Sequence, residues 1–155
     1  MSGRVFTAPD ADAMRALAHD VVAPQLRAGD LVLLTGGLGA GKTTFTQGLG
    51  DALGVRGPIA SPTFIIARTH PSEVDGPWLI HVDAYRLRTL AELDDLDLDA
   101  TLDDAVTVVE WGEGLAEGLA DSRLEVRIER SASVDDESRV VRVLGVGPRW
   151  GPESW

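Results

Sequence analysis

The chain has 155 residues, 44% of them hydrophobic, with 25 acidic and 14 basic side chains, a net charge of −11 and no cysteine. That length and apolar share fit one domain with an ordinary core, and the missing cysteines exclude disulfides, thiolate metal sites and cysteine nucleophiles. The acidic balance excludes a surface that grips a nucleic acid backbone unaided, because such binding needs Lys and Arg to displace counterions.

No apolar run approaches the roughly 18 residues that span a bilayer, and the N-terminal MSGRVFTAPD lacks the apolar stretch of a signal peptide. A cytoplasmic location with no membrane partner is expected. Residues 10–26 place Ala13, Met14, Leu17, Ala18, Val21, Val22 and Leu26 at spacings of three and four. This predicts an amphipathic helix with Asp10 as N-cap, closing near Pro24. GDLVLLTG then offers a continuous apolar run ahead of a glycine cluster, as expected of a strand buried on both faces. The cluster leads into KTTFTQGLGDALG, helical in its spacing of Phe45, Leu49 and Leu53 and ending at Gly54.

After a turn, FIIARTH and WLIHVDAYRL read as two strands that can form an antiparallel pair. Residues 90–104 mix leucines at helical spacing with seven carboxylates, which predicts one or two short helices with a solvated, charged outer face. AVTVVEW, RLEVRIER and SRVVRVLGV read as further strands, the last two alternating in the manner of antiparallel edge strands. Residues 1–149 are therefore expected to form one domain and residues 150–155 a flexible tail.

Gly36, four spacers, Gly41, Lys42 and Thr43 match the phosphate-binding loop pattern, in the strand-loop-helix context that the pattern requires. Glycines at 36, 37, 39 and 41 let the main chain approach a phosphate, so that N–H groups from Leu38, Gly39, Ala40 and Gly41 through Thr43 can face the anion at a helix N-terminus. Lys42 is the sole lysine of the chain. A compact mobile ammonium can bridge β and γ phosphates and follow the transferring group, which a planar guanidinium does poorly. Thr43 is the expected Mg²⁺ ligand, and Thr44 a contact to the α phosphate.

Two carboxylates stand at strand ends: Asp83 after Trp78, Leu79, Ile80 and Val82, and Glu110 after Val106, Val108 and Val109. Either is a solvated strand terminus or a metal or catalytic group; the phosphate loop favours function, because open α/β sheets bind ligands at the carboxyl ends of their strands. His81 reads as a packed, hydrogen-bonded histidine. SPTF, residues 61–64, is either a locally capped turn or a switch ordered by the γ phosphate.

LTGGLGAGKTTFTQGLG, SPTF, HVDAYRL and VVEW, in this order, resemble the bacterial TsaE family, the small ATPase of tRNA threonylcarbamoyladenosine biosynthesis. The resemblance spans about residues 10–143. It implies an ATP- and Mg²⁺-binding protein that works with TsaD and TsaB, meets tRNA only through that complex, and supports turnover without performing the tRNA chemistry. By motif it implies Lys42 and Thr43 on phosphates and Mg²⁺, Asp83 near the metal, and Glu110 as a metal ligand or as the group that positions the hydrolytic water. It also implies Trp111 closing the nucleotide pocket or a partner surface, and Arg139, just before the last strand, as a nucleotide contact. Gly37 stands where the family often has aspartate, and Gly112 where proline or serine is common. The expected fold is α/β: a P-loop NTPase-like three-layer arrangement with a mixed, partly parallel sheet and antiparallel edge strands.

Two other readings use the same loop. A small-molecule kinase would need an acceptor pocket and an arginine-bearing lid, for which Arg86 and Arg88 are the evident cluster. A nucleotide-dependent binding module would control a partner through its bound state, not its turnover.

Overall fold

The computed structural model describes residues 3–37, 40–59, 67–83, 104–110, 122–130 and 136–150. In chain order these form β1 (Arg4–Ala8), α1 (Ala11–Leu17), β2 (Leu31–Gly36), α2 (Lys42–Leu53), β3 (Ala67–His70), β4 (Trp78–Asp83), β5 (Ala105–Glu110), β6 (Arg123–Arg130) and β7 (Arg139–Val146). The strands make one sheet in the order β1-β7-β6-β2-β5-β4-β3. Its four central strands are mutually parallel, β6 with β2, β2 with β5 and β5 with β4. β7 and β1 are added antiparallel at one side and β3 at the other.

This is the mixed α/β sheet that the sequence predicts, with two differences. First, RLEVRIER and SRVVRVLGV are not edges: β6 is paired on one side to β2 and on the other to β7, and β7 continues to β1. Their alternation reports one wet face, with Leu124, Val126 and Ile128 buried while Arg127 and Glu129 are exposed; a wet face does not mean an unpaired side. Second, the true edge β1 is five residues long and carries only Phe6 and Ala8 on its inward face, too short a pattern to register in the sequence.

α1 is capped by the Asp10 side chain, which accepts from the Ala13 N–H at 2.8 Å. The helix predicted to Leu26 is α-helical only to Leu17; Ala18–Val22 continues as a π-type turn and Ala23–Gln25 as a tight 3-10 turn. Pro24 lacks the N–H that a further α turn needs, so the chain changes its winding ahead of it. α2 is a 12-residue helix ending at Gly54. A segment this short is marginal alone in water, so its formation depends on burying Phe45 and Leu49, both 0% exposed, against β2 and α1. Gly48 allows the two helices to touch: a Cβ there would lie 2.4 Å from the Arg15 carbonyl oxygen and 2.9 Å from Ala18 Cβ.

Trp150, expected in the loose tail, is 6% exposed and belongs to the core cluster. Arg149 stacks over its ring at 4.1 Å and holds Asp30 through two nitrogens, at 3.0 and 3.2 Å. This clasp ties the chain after β7 to the entry of β2; residues 151–155 lie outside the described residues.

β3 and β4 pair antiparallel, as their sequences predict. On β3, His70 Nδ1 donates to the Arg56 carbonyl at 2.9 Å while its buried Nε2 has no partner among the described residues. Burial pushes the His70 pKa below the ordinary 6.5, the backbone bond opposes this, and nearby His81 and Arg68 add to the lowering.

Gly48→Ala should destabilise the protein by about 1–3 kcal/mol through overpacking, overriding the roughly 1 kcal/mol that alanine gains in a helix. Gly37→Ala, with nothing within 4 Å of its Cβ, should leave the thermal midpoint unchanged; equal midpoints for both variants would contradict the close helix contact. For His70 the unfolded chain binds the proton more readily than the fold. Its contribution is thus complete above the unfolded pKa and lost as pH falls through the folded one. His70→Gln should lose less stability than the parent between about pH 7.5 and pH 5 in denaturant titrations.

Candidate functional site

The parallel strands deliver their carboxyl ends to one edge of the sheet, where the loop between β2 and α2 begins. β2 is buried from Leu31 to Leu34 and leads directly into the glycine loop. Gly41 precedes α2 with φ 108°, the left-handed region that side-chain-bearing residues avoid. The first bond of the α2 ladder runs from the Phe45 N–H to the Gly41 carbonyl at 2.9 Å. The N–H groups of Thr43 and Thr44 therefore lie ahead of that ladder, at the positive end of the helix dipole.

Lys42 is 7% exposed and folds back over the loop, donating to the carbonyls of Gly36 at 2.7 Å and Gly37 at 3.0 Å. The ammonium is thereby held inward over the start of α2, where the helix dipole also favours an anion. Thr43 and Thr44 are partly exposed in the first turn of α2. Arg139, expected just ahead of the last strand, is the first residue of β7, and its Nε donates to the Ala40 carbonyl at 3.1 Å, fastening the loop from the far side. A cavity of about 160 Å³ opens here between Asp10, Met14, Gly41, Thr44, Glu137 and Arg139. The sequence gives no sign of Asp10, Met14 or Glu137 at this place, since it is the antiparallel addition of β7 and β1 that brings them to the same edge.

Glu110 ends β5 and is 4% exposed. It pairs in register with Leu34 of β2 on one side and with Asp83 of β4 on the other. The two predicted carboxylate residues are thus neighbours on adjacent strands, Glu110 one strand and Asp83 two strands away from the loop; for Asp83 only the backbone position is described. Glu110 accepts a hydrogen bond through Oε2 from His81 Nε2, and His81 is 0% exposed. The packed, hydrogen-bonded histidine is as the sequence predicts, but its partner is visible only once the strand register is known.

Among the described residues no three His, Asp or Glu side chains converge on one point. Mg²⁺ takes oxygen ligands, commonly one or two from the protein, and completes its shell with phosphates and water. The oxygen donors of Thr43 and Glu110 suit that hard cation, as does a carboxylate at the Asp83 position. Cavity size alone does not find the site. A larger cavity, about 580 Å³, lies beside α1 and the later turns of α2, lined by Arg15, His19, Asp20, Gln47 and Asp51 and including neither Lys42 nor Glu110.

The family model for threonylcarbamoyl adenosine biosynthesis protein TsaE matches residues 8–140. The chain belongs to the TsaE family. It is 61% identical over 131 residues to the tRNA threonylcarbamoyladenosine biosynthesis protein TsaE of Streptomyces coelicolor, covering 83% of this chain and 88% of that protein. The TsaE protein of Bacillus subtilis is 38% identical over 123 residues, 79% of this chain and 73% of its own length. A crystal structure of Bacillus subtilis YdiB superposes with a TM-score of 0.73 at 30% identity, over 96% of this chain and 88% of that one. Of the TsaE motif residues, Gly36, Ala40, Gly41, Lys42, Thr43, Thr44, Glu110 and Arg139 are placed as described. Leu38, Gly39, Trp111, Gly112, SPTF, Arg86, Arg88 and most of the acidic segment lie outside the described residues. No helix among the described residues is long and apolar enough to cross a membrane.

Proposed function

We propose that the protein is a Mg²⁺-dependent ATPase that supports threonylcarbamoyl modification of adenosine in tRNA, acting with TsaD and TsaB and leaving the tRNA chemistry to them. The observation that carries this reading is Lys42, a buried cation held on the Gly36 and Gly37 carbonyls at the start of a helix. Relatives that are tRNA threonylcarbamoyladenosine biosynthesis proteins of the TsaE name support the pathway.

On this reading the loop N–H groups and Lys42 hold the β and γ phosphates, and the helix dipole adds a fixed favourable field. Mg²⁺, when bound, supplies charge neutralisation on the phosphate oxygens. The Thr43 hydroxyl and the carboxylates of Asp83 and Glu110 are the groups that would hold it or, for Glu110, orient the attacking water. Arg139 and the cavity beside Thr44 receive the rest of the nucleotide. Glu110 is buried at the carboxyl end of β5, so its carboxylate is shielded from bulk water at the edge where the phosphates would be held. Acceptance of a proton or hydrogen bond from one positioned water is the chemistry that such a carboxylate can perform.

Lys42→Ala should weaken ATP binding by roughly 10–100-fold, the equivalent of one charge-assisted hydrogen bond to phosphate. Glu110→Ala should keep ATP affinity within about threefold and reduce hydrolysis by about 100-fold. Fluorescent-nucleotide titration and phosphate release, measured side by side, check both. Normal affinity in Lys42→Ala would remove the phosphate cradle, and undiminished turnover in Glu110→Ala would remove the carboxylate from catalysis.

A further inference from the structure

His81 is the most completely buried titratable side chain beside the site, at 0% exposure, and it touches Glu110 through Nε2. Its other ring nitrogen, Nδ1, is buried and has no hydrogen-bond partner among the described residues. A histidine kept only for packing would be matched at both nitrogens or replaced by an apolar side chain of similar volume, because an unsatisfied buried nitrogen costs stability. The neighbouring positions follow the apolar rule: Leu79, Val106 and Val108 on the same face are each 0% exposed. A local rule broken beside a candidate site points to a role there.

The strand register shows what that role is. His81 lies opposite Val108, and Glu110 lies one pleat further toward the carboxyl edge, opposite Asp83. The bond from Nε2 to Oε2 therefore runs between adjacent strands and spans a two-residue offset in register. One carboxylate oxygen is then occupied by the imidazole N–H, and the rotamer is fixed. Oε1 is the oxygen outside that bond.

Resting on the ATPase reading above, we propose that His81 is a positioning residue for Glu110: its Nε2–H holds Oε2 and so presents Oε1 toward the water or metal at the phosphates. Second partners of this kind orient a reactive carboxylate much as outer hydrogen bonds orient metal ligands. No proton transfer to or from His81 is involved.

Glutamine places an amide nitrogen near the position of Nε2, whereas asparagine reaches only as far as Nδ1. ATP turnover is therefore compared in the parent, His81→Gln, His81→Asn, Glu110→Ala and the double variant His81→Asn/Glu110→Ala, with TsaD and TsaB present and with thermal melts to confirm folding. His81→Asn should lower kcat by about 10–100-fold with KM for ATP within about twofold, His81→Gln should restore most of the loss, and the double variant should match Glu110→Ala alone. Equal turnover in the folded Asn, Gln and parent proteins would overturn the proposal, as would losses that multiply in the double variant. No hydrolysis by the parent itself would overturn the ATPase reading, and the proposal with it; that outcome is distinct from the others.

Discussion

Parallel pairing of β2 with β5 on one side and β6 on the other is the constraint on which the rest of the site depends. It sends the carboxyl ends of the central strands to one edge, so the glycine loop, Glu110 and the Asp83 position arrive there together although they are far apart in the sequence. The pairing is held by burial: all six residues of β5 and the first four of β2 are buried. A one-residue slip of β5 against β2 would turn Glu110 to the opposite face and bring Val109 in its place. Such a slip would also move polar Thr107 onto the helix-covered face.

The antiparallel additions complete the same edge by the opposite logic. β7 runs against β6, so it contributes its first residue there, with Arg139 in register with Arg130 and within reach of the Ala40 carbonyl. β1 runs against β7, so its last residue, Ala8, reaches that edge and hands the chain to Asp10 and α1. The cavity beside Thr44 is lined by the start of α1, the end of the glycine loop with the first turn of α2, and the residues that open β7. In a chain of net charge −11, the sole lysine, Lys42, is carried inward at this edge, on the carbonyls of Gly36 and Gly37.

The loop and both carboxylate positions are legible in the sequence because each is local: a fixed glycine-lysine spacing, or an acid that ends an apolar run. Strand identity is legible for the same reason, and the β3–β4 hairpin follows from proximity in the chain. What is not legible depends on non-local pairing. β6 and β7 read as edges because alternation reports a wet face, and only the register with β2 and β1 reveals them as interior. The His81 partner is 29 residues away in the chain, on a parallel neighbour. Trp150 reads as tail because its burial depends on Arg149 reaching Asp30, 119 positions earlier.

The central claim is that this edge hydrolyses ATP in the service of tRNA modification. Its most direct test is phosphate release by the unmodified protein with Mg²⁺, alone and with TsaD and TsaB, while threonylcarbamoyladenosine formation in tRNA is followed in the same reaction. The account predicts Mg²⁺-dependent hydrolysis that rises with the two partners and accompanies repeated rounds of modification. Phosphate release that is indifferent to both partners, with modification proceeding equally well when the protein is omitted, would contradict it.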